Sequence, residues 1–425
     1  MSAVNAERYT IYKDSGVEWL GKIPAHWAVK RVKDELENLD FRRVPLSGEV
    51  REKMSAQIYD YYGASGIIDK VECYIFDEPT ILIGEDGANL INRSTPLAFI
   101  ARGKYWVNNH AHILKPKKGC LEYFCYLLES FDYTTLISGS AQPKFTAGQL
   151  NRMPLMVPPL REQTAIAAYL DIRTGKIDRE IDLLGQKAID YAKLKQSVIN
   201  EIVTRGFDKS VPMKDSGVEW IGEIPAHWNV RRTNDIAKQN KTKNSALDET
   251  NLLSLSYGKI IRRDFHTSFG LLPDSFETYQ VVRSGTIILR LTDLQNDQRS
   301  LRVGLATERG IITSAYLGLD FHRSINPVFA YYLLHLYDIC KVFYWFGGGL
   351  RSTMRFDDIK IIPFIIPPLP EQIAIADYLD VKTAQIDEIL AAIDSKVDKL
   401  KTLRKVLIKD AVTGKIQVVR EGQSV

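Results

Sequence analysis

The chain has 425 residues, 45% apolar and 25% charged, with a formal net charge of +4. That length calls for two or more domains, the composition is that of an ordinary globular protein, and so weak a positive charge admits nucleic acid without singling it out. No run of about 18 uncharged apolar residues spans a membrane, the start MSAVNAERYTIYKDSG lacks a secretory apolar stretch, and Cys73, Cys120, Cys125 and Cys340 show no paired spacing, which predicts free thiols in a reducing cytoplasm and no zinc site.

In chain order, the first feature is a leading segment, KDSGVEWLGKIPAHW at Lys13–Trp27, which returns as KDSGVEWIGEIPAHW at Lys214–Trp228 with 13 of 15 positions identical at an offset of 201. Its Gly16–Lys22 matches the glycines and lysine of a phosphate loop, but Ile23 stands where magnesium needs a hydroxyl, and the second copy has Glu223 for the lysine. His26 and His227, each before a tryptophan, are expected to pack. A first middle of 129 residues follows, Ala28–Met156. Strands are expected at Cys73–Phe76, Thr80–Ile83 and Leu97–Ile100. The loop Gly84–Ser94 between two of them combines Gly87 with Asn89, Asn92 and Arg93, side chains able to bond adenine and guanine edges in pairs. Tyr62, Asn108 and Asn109 add an aromatic and two amides, and Lys144 lies in the polar loop Ser138–Phe145.

The trailing segment Val157–Asp178, VPPLREQTAIAAYLDIRTGKID, returns as IPPLPEQIAIADYLDVKTAQID at Ile366–Asp387, with 14 of 22 positions identical at an offset of 209. Two prolines forbid helix before them and suit a helix start after them. Apolar residues then recur at Ile177, Ile181, Leu184, Ala188, Tyr191, Leu194, Val198 and Ile202, and at Ile386, Leu390, Ile393, Val397, Leu400, Leu407 and Ala411. This is a heptad seam, with Lys195 and Arg404 expected on the charged faces and Gly206 and Gly414 at the stops. Helices over 162–204 and 371–413 would each be about 60–65 Å long. Antiparallel pairing within the chain, about a pseudo-two-fold axis, is the simplest way to cover both seams; pairing with another molecule is the alternative.

The second middle, Asn229–Ile365, has 137 residues and does not align with the first. A strand is expected at Thr286–Leu291. Candidate DNA contacts are Tyr257, Lys259 and Arg262 in Ser256–Arg263, then Arg290, Gln295, Asn296 and Arg299 in Arg290–Arg302, with phosphate neutralisation by the basic residues. Arg351 and Arg355 lie in Gly347–Phe356, the equivalent of Ser138–Phe145. Catalytic machinery is missing: there is no cofactor glycine loop, no Asn-Pro-Pro-aromatic tetrapeptide, no HExxH and no Ser-His-Asp arrangement. Pro273-Asp274 begins a nuclease-like pattern, but no lysine follows.

The paired leading segments and the paired PPLREQTAI and PPLPEQIAI with their long helices resemble the specificity subunits of type I restriction–modification systems over almost the whole chain. The resemblance implies an α/β (α+β) protein: two mixed α/β target recognition domains, 1–160 and 207–369, joined by antiparallel coiled-coil spacer helices, 161–206 and 370–415, with a tail at 416–425. It implies a non-catalytic DNA-recognition subunit binding double-stranded DNA at a bipartite asymmetric site, one half per domain. Two modification subunits would dock on the helices, with restriction subunits beyond them. S-adenosylmethionine, ATP and Mg would sit on those partners, and this chain would carry no cofactor or metal. A coiled-coil adaptor that grips proteins rather than specific DNA is the alternative.

Overall fold

The computed structural model describes residues 8–18, 20–134, 136–137, 143–263, 275–294, 297, 300–346 and 353–418. Two compact units are present: Met1–Leu184 with Asp394–Val425, and Gly185–Ile393.

The proline punctuation and the heptads produce the two long helices, Leu160–Arg205 and Leu369–Val412. Gly206 and Gly414 follow at φ +68° and +71°, the left-handed conformation that glycine adopts without steric cost. Each unit boundary falls inside a helix, so each unit contains the first half of one helix and the second half of the other. In the first unit Ile166, Ala167 and Leu170 share a core with Ile408, Ala411 and Val412. In the second, Ile199 and Val203 share one with Ile375, Ala376 and Leu379. Beginning meets end in both, so the pairing is antiparallel within each unit.

The seam departs from the expected heptads at one place. Leu194 is 48% exposed, and the expected surface residue Lys195 reaches Asp387 Oδ1 at 2.6 Å. In the first unit Arg404, also expected on the surface, reaches Asp178 Oδ1 at 2.9 Å. A straight helix drifts about 20° per heptad against a strict seven-residue repeat, so the seam steps over by one residue. The two ion pairs occupy equivalent positions of the duplication, 209 apart. A charge at a seam lowers stability but favours one register.

The middles, which do not align in sequence, share a topology. In the first unit a four-stranded antiparallel sheet runs Leu36–Asn38, Ala111–Pro116, Thr80–Gly84, Ala98–Ala101. In the second the order is the same: Ala237–Gln239, Leu317–Phe321, Ile287–Leu289, Val303–Leu305. The inner strands Thr80–Gly84 and Ile287–Leu289 are buried at every residue, as unbroken apolar runs covered on both faces require. A second layer holds the hairpin Tyr59–Gly63 with Gly66–Val71 in the first unit, and Leu253–Ser256 with Lys259–Arg262 in the second. The strand expected at Cys73–Phe76 shrinks to Phe76–Asp77, since Cys73 and Tyr74 are both exposed and break the alternation. The other three expected strands form within a residue or two of their predicted ends, apart from Ile287–Leu289, which is shorter.

Each middle is closed by its edges. Ala28–Arg31 pairs antiparallel with Pro154–Val157, and Asn229–Arg232 with Pro363–Ile366. Glu162 accepts hydrogen bonds from the Trp27 indole at 3.0 Å and the Tyr9 hydroxyl at 2.9 Å, and meets His26 Nε2 at 2.6 Å. Glu371 accepts from Trp228 at 2.9 Å and meets His227 at 2.7 Å. His26 and His227 therefore do not pack in a core. They are exposed and hydrogen-bond the glutamate that secures the buried tryptophan. The next residue fastens each helix start: Gln163 bonds Cys120 N and Pro158 O, and Gln372 bonds Asn326 N and Pro367 O. The repeated Glu-Gln after PPL is thus a two-residue latch.

Candidate nucleic-acid interface

The inner strand of each sheet delivers a polar loop to one edge of its unit, and a second loop from near the trailing segment is bonded to it. In the first unit Phe145 N donates to Glu85 O at 2.8 Å and Gly87 N to Pro143 O at 3.1 Å. In the second unit Met354 N donates to Leu291 O at 3.0 Å. Phe145 and Met354 are equivalent, 209 apart, and both are buried. Each unit therefore has a two-loop lip, built on the same frame from different residues.

The first lip gathers Gly87, Asn109 and Lys144. Gly87, at φ +93°, has nothing within 4 Å of where a Cβ would stand, so backbone there is open to a ligand. Lys144 lies 3.4 Å from Glu85, and His110 Nδ1 lies 2.8 Å from Asp86. Arg43, which sequence reasoning missed, ties the lip together: its guanidinium donates to Glu85 at 2.6 Å and to the carbonyls of Ala111 and Asn109 at 2.9 and 3.3 Å. Below it the buried His112 meets Asp40 at 2.6 Å and Phe145 O at 2.8 Å. The imidazole and a backbone bond from Ile113 hold the Asp40 carboxyl below its usual range, against the opposing effect of burial.

Most other candidates of the first middle are engaged within their own unit. Arg93 donates to Phe131 O at 2.9 Å and to Glu129 Oε1 at 2.9 Å, fastening its loop to the end of helix Leu121–Ser130. Asn89 accepts from Thr95 N at 3.0 Å and Ser94 Oγ at 3.1 Å, closing the loop on itself. Asn108 is buried and accepts from His110 N. Tyr62 stacks against Phe99 at 5.9 Å and is half-buried. Asn92 is exposed. In solvated loops these side chains read bases; here backbone groups had to be satisfied first.

In the second unit Tyr257 and Gly258 form a tight hairpin tip at φ +46° and +78°. Tyr257 is 83% exposed, and an aromatic in left-handed backbone with so little cover marks a functional candidate. Lys259 lies 4.0 Å from Asp387, and Arg262 bonds Glu308 through Nε at 2.7 and 2.9 Å. Arg290 lies 3.7 Å from Asp297, and the Arg355 side chain is exposed. Gln295, Asn296, Arg299, Arg351 and Pro273-Asp274 lie outside the described residues. Arg302, grouped by sequence with the phosphate contacts, is fully buried. The signal for that was its place directly before the apolar strand Val303–Leu305.

Among the described residues no cluster of His, Cys, Asp and Glu could hold a metal ion, and no helix is long and apolar enough to cross a membrane.

Comparison with known proteins agrees with this architecture. The family model for the type I restriction modification DNA specificity domain matches residues 24–187. The chain is 28% identical over 373 residues to a provisionally assigned type I restriction enzyme specificity subunit of Haemophilus influenzae, covering 82% of this chain and 85% of that protein. It is 24% identical over 430 residues to another, from Methanocaldococcus jannaschii, covering 94% and 96%. A chain in a solved structure of a type I R-M system, described for its complex assembly and conformational transition, superposes with a TM-score of 0.65 at 14% identity, over 93% of this chain and 99% of that one. The chain is thus similar over most of its length to type I restriction–modification specificity subunits, and its residues 24–187 match their DNA specificity domain.

Proposed function

We propose that this chain reads a bipartite, asymmetric DNA site, one half per recognition domain (residues 1–160 and 207–369), and performs no chemistry itself. The observation that carries the reading is the pair of equivalent lips: one topology, one latch, and different side chains at the edge. A common frame with exchanged edge residues is what two different targets call for.

The helices, residues 161–206 and 370–415, dock two modification subunits in this proposal, with restriction subunits beyond them. Support comes from apolar residues left uncovered at equivalent positions. Ile172 and Leu403 are 60% and 53% exposed in the first unit; their equivalents Val381 and Leu194 are 56% and 48% exposed in the second. The same pair written twice suits one kind of partner bound twice. S-adenosylmethionine, ATP and Mg belong to those partners, and the assembly works in the cytosol.

The helices also act as the ruler between half-sites. Seven residues inserted after Leu184 and seven after Ile393 leave the contacts within each unit unchanged, because both insertions fall at unit boundaries. Each helix lengthens by about 10 Å, or about three base-pair steps. The test is to co-express the chain with its modification partner and map methylated adenines across a genome. A split motif is expected, and in the insertion variant the same two halves with a longer gap. Altered halves with the old gap would refute the ruler; no motif from a stable complex would favour the protein-binding adaptor.

A further inference from the structure

We propose that Arg302 is the positioning residue behind the second lip: its buried guanidinium shapes the loop that starts at Arg290 and thereby sets what that lip accepts. The inference rests on the DNA-reading proposal and extends it to a residue that touches no DNA.

The argument begins with the cost of burying a charge. Arg302 has no exposed surface, and an arginine out of water is expensive unless its donors are satisfied. Its Nη1 donates to Arg290 O at 3.0 Å and Thr292 O at 2.9 Å, its Nη2 to Asp293 O at 3.3 Å and to Asp297 O, and its Nε to the Tyr344 hydroxyl at 3.0 Å. Those are all five guanidinium donors. Four end on carbonyls of one loop. The nearby Asp338 carboxylate bonds the Arg302 backbone N–H at 2.6 Å, so the side chain itself is held by peptide dipoles.

An apolar side chain would fill this space at lower desolvation cost. What it could not do is turn four carbonyls toward one point. Asp293 stands at the turn, at φ +57°, a left-handed conformation that aspartate tolerates better than most residues, with its carbonyl bonded to the guanidinium. Tyr344 adds a brace by donating to Asp297 O at 3.1 Å. The outward result is the placement of Arg290 against Asp297. In the first lip the tying arginine is Arg43, which bonds Glu85 and the carbonyls of Asn109 and Ala111 and comes from a different part of the chain. The two lips are thus shaped by different inner arginines.

Lysine in place of Arg302 keeps the charge and cannot span five acceptors. The experiment measures binding of the full chain, purified with its modification partner, to duplexes randomised in one half-site at a time. For Arg302→Lys, discrimination at one half should fall about tenfold, the worth of a lost base preference, while the other half changes less than about twofold. Tyr344→Phe, which removes the brace and the acceptor of Arg302 Nε but keeps the four bonds to carbonyls, should give a smaller loss confined to the same half. Unchanged discrimination at both halves would overturn the proposal, and so would parallel decline at both in Arg302→Lys with none in Tyr344→Phe. A wild-type complex without preference at either half would instead overturn the DNA-reading proposal, and the clamp's role with it.

Discussion

Truncating one latch should cost more than truncating the other. Glu162→Ala strands the indole N–H of Trp27, a residue with no exposed surface, and the hydroxyl of Tyr9, a residue 8% exposed. An unsatisfied buried donor costs about 1–3 kcal/mol. Exposed His26 exchanges its partner for water at little cost. The first unit should therefore lose about 2–6 kcal/mol. Glu371→Ala strands only the Trp228 indole, because Ser210 stands where the first copy has Tyr9. Its cost should be about 1–3 kcal/mol, in the second unit. Urea unfolding followed by hydrogen exchange with peptide resolution would measure each unit separately. Equal costs for the two variants, or a loss below about 1 kcal/mol for Glu162→Ala, would show that the latches do not work through these bonds.

Two further outcomes are expected. Burial pushes the Asp338 carboxyl up to about 6, against the Arg302 N–H and the nearby Lys341 and Arg302 charges, with Asp297 adding to the rise; burial, aided by Lys195, pushes the His335 imidazole down to about 4. The signs oppose: as pH rises from about 4 to 6, a raised carboxyl loses stability while a depressed imidazole gains it, each on the order of 3 kcal/mol. Stability of helix Pro327–Ile339 should thus change little in the native chain, rise with pH in Asp338→Asn and fall with pH in His335→Phe; parallel curves for all three would contradict the assignment. For partner docking, Ile172→Asp with Leu403→Asp should reduce the modification subunits per chain from two to one by native mass spectrometry, and retention of two would exclude that surface.

The edges of each repeat were legible because they are written twice. Duplication picked out the tryptophans, the PPL turns and the Glu-Gln pairs, and the structure shows them bonded to one another. The heptads located both helices but not the step at Lys195, which follows from the mismatch between 3.6 and 3.5 residues per turn. The common topology of the middles was not legible, because many apolar patterns fill one sheet equally well. At the lips, residue type misled where backbone demand came first. Asn89 and Arg93 carry base-reading chemistry, yet Asn89 closes its own loop and Arg93 fastens that loop to a helix end, and Arg302 looks like a phosphate ligand but lies inside. Nothing local marks Arg43 as the residue that ties the lip, since the lip acceptors Glu85 and Ala111 lie more than forty residues away in sequence.

The order of residues within the two units has a kinetic consequence. The second unit is one unbroken stretch, whereas the first needs Asp394–Val425. Gly414 sits where a Cβ would come within 2.4 Å of Pro24 and 3.2 Å of Trp27, and Tyr12 donates to the Gly414 carbonyl at 3.1 Å. On the ribosome, at about 5–20 residues per second, the second unit can close as it emerges, while the first waits some tens of seconds for the end of the helix that completes it. The part of the chain made first is finished last, and a late stop codon would injure the beginning of the protein.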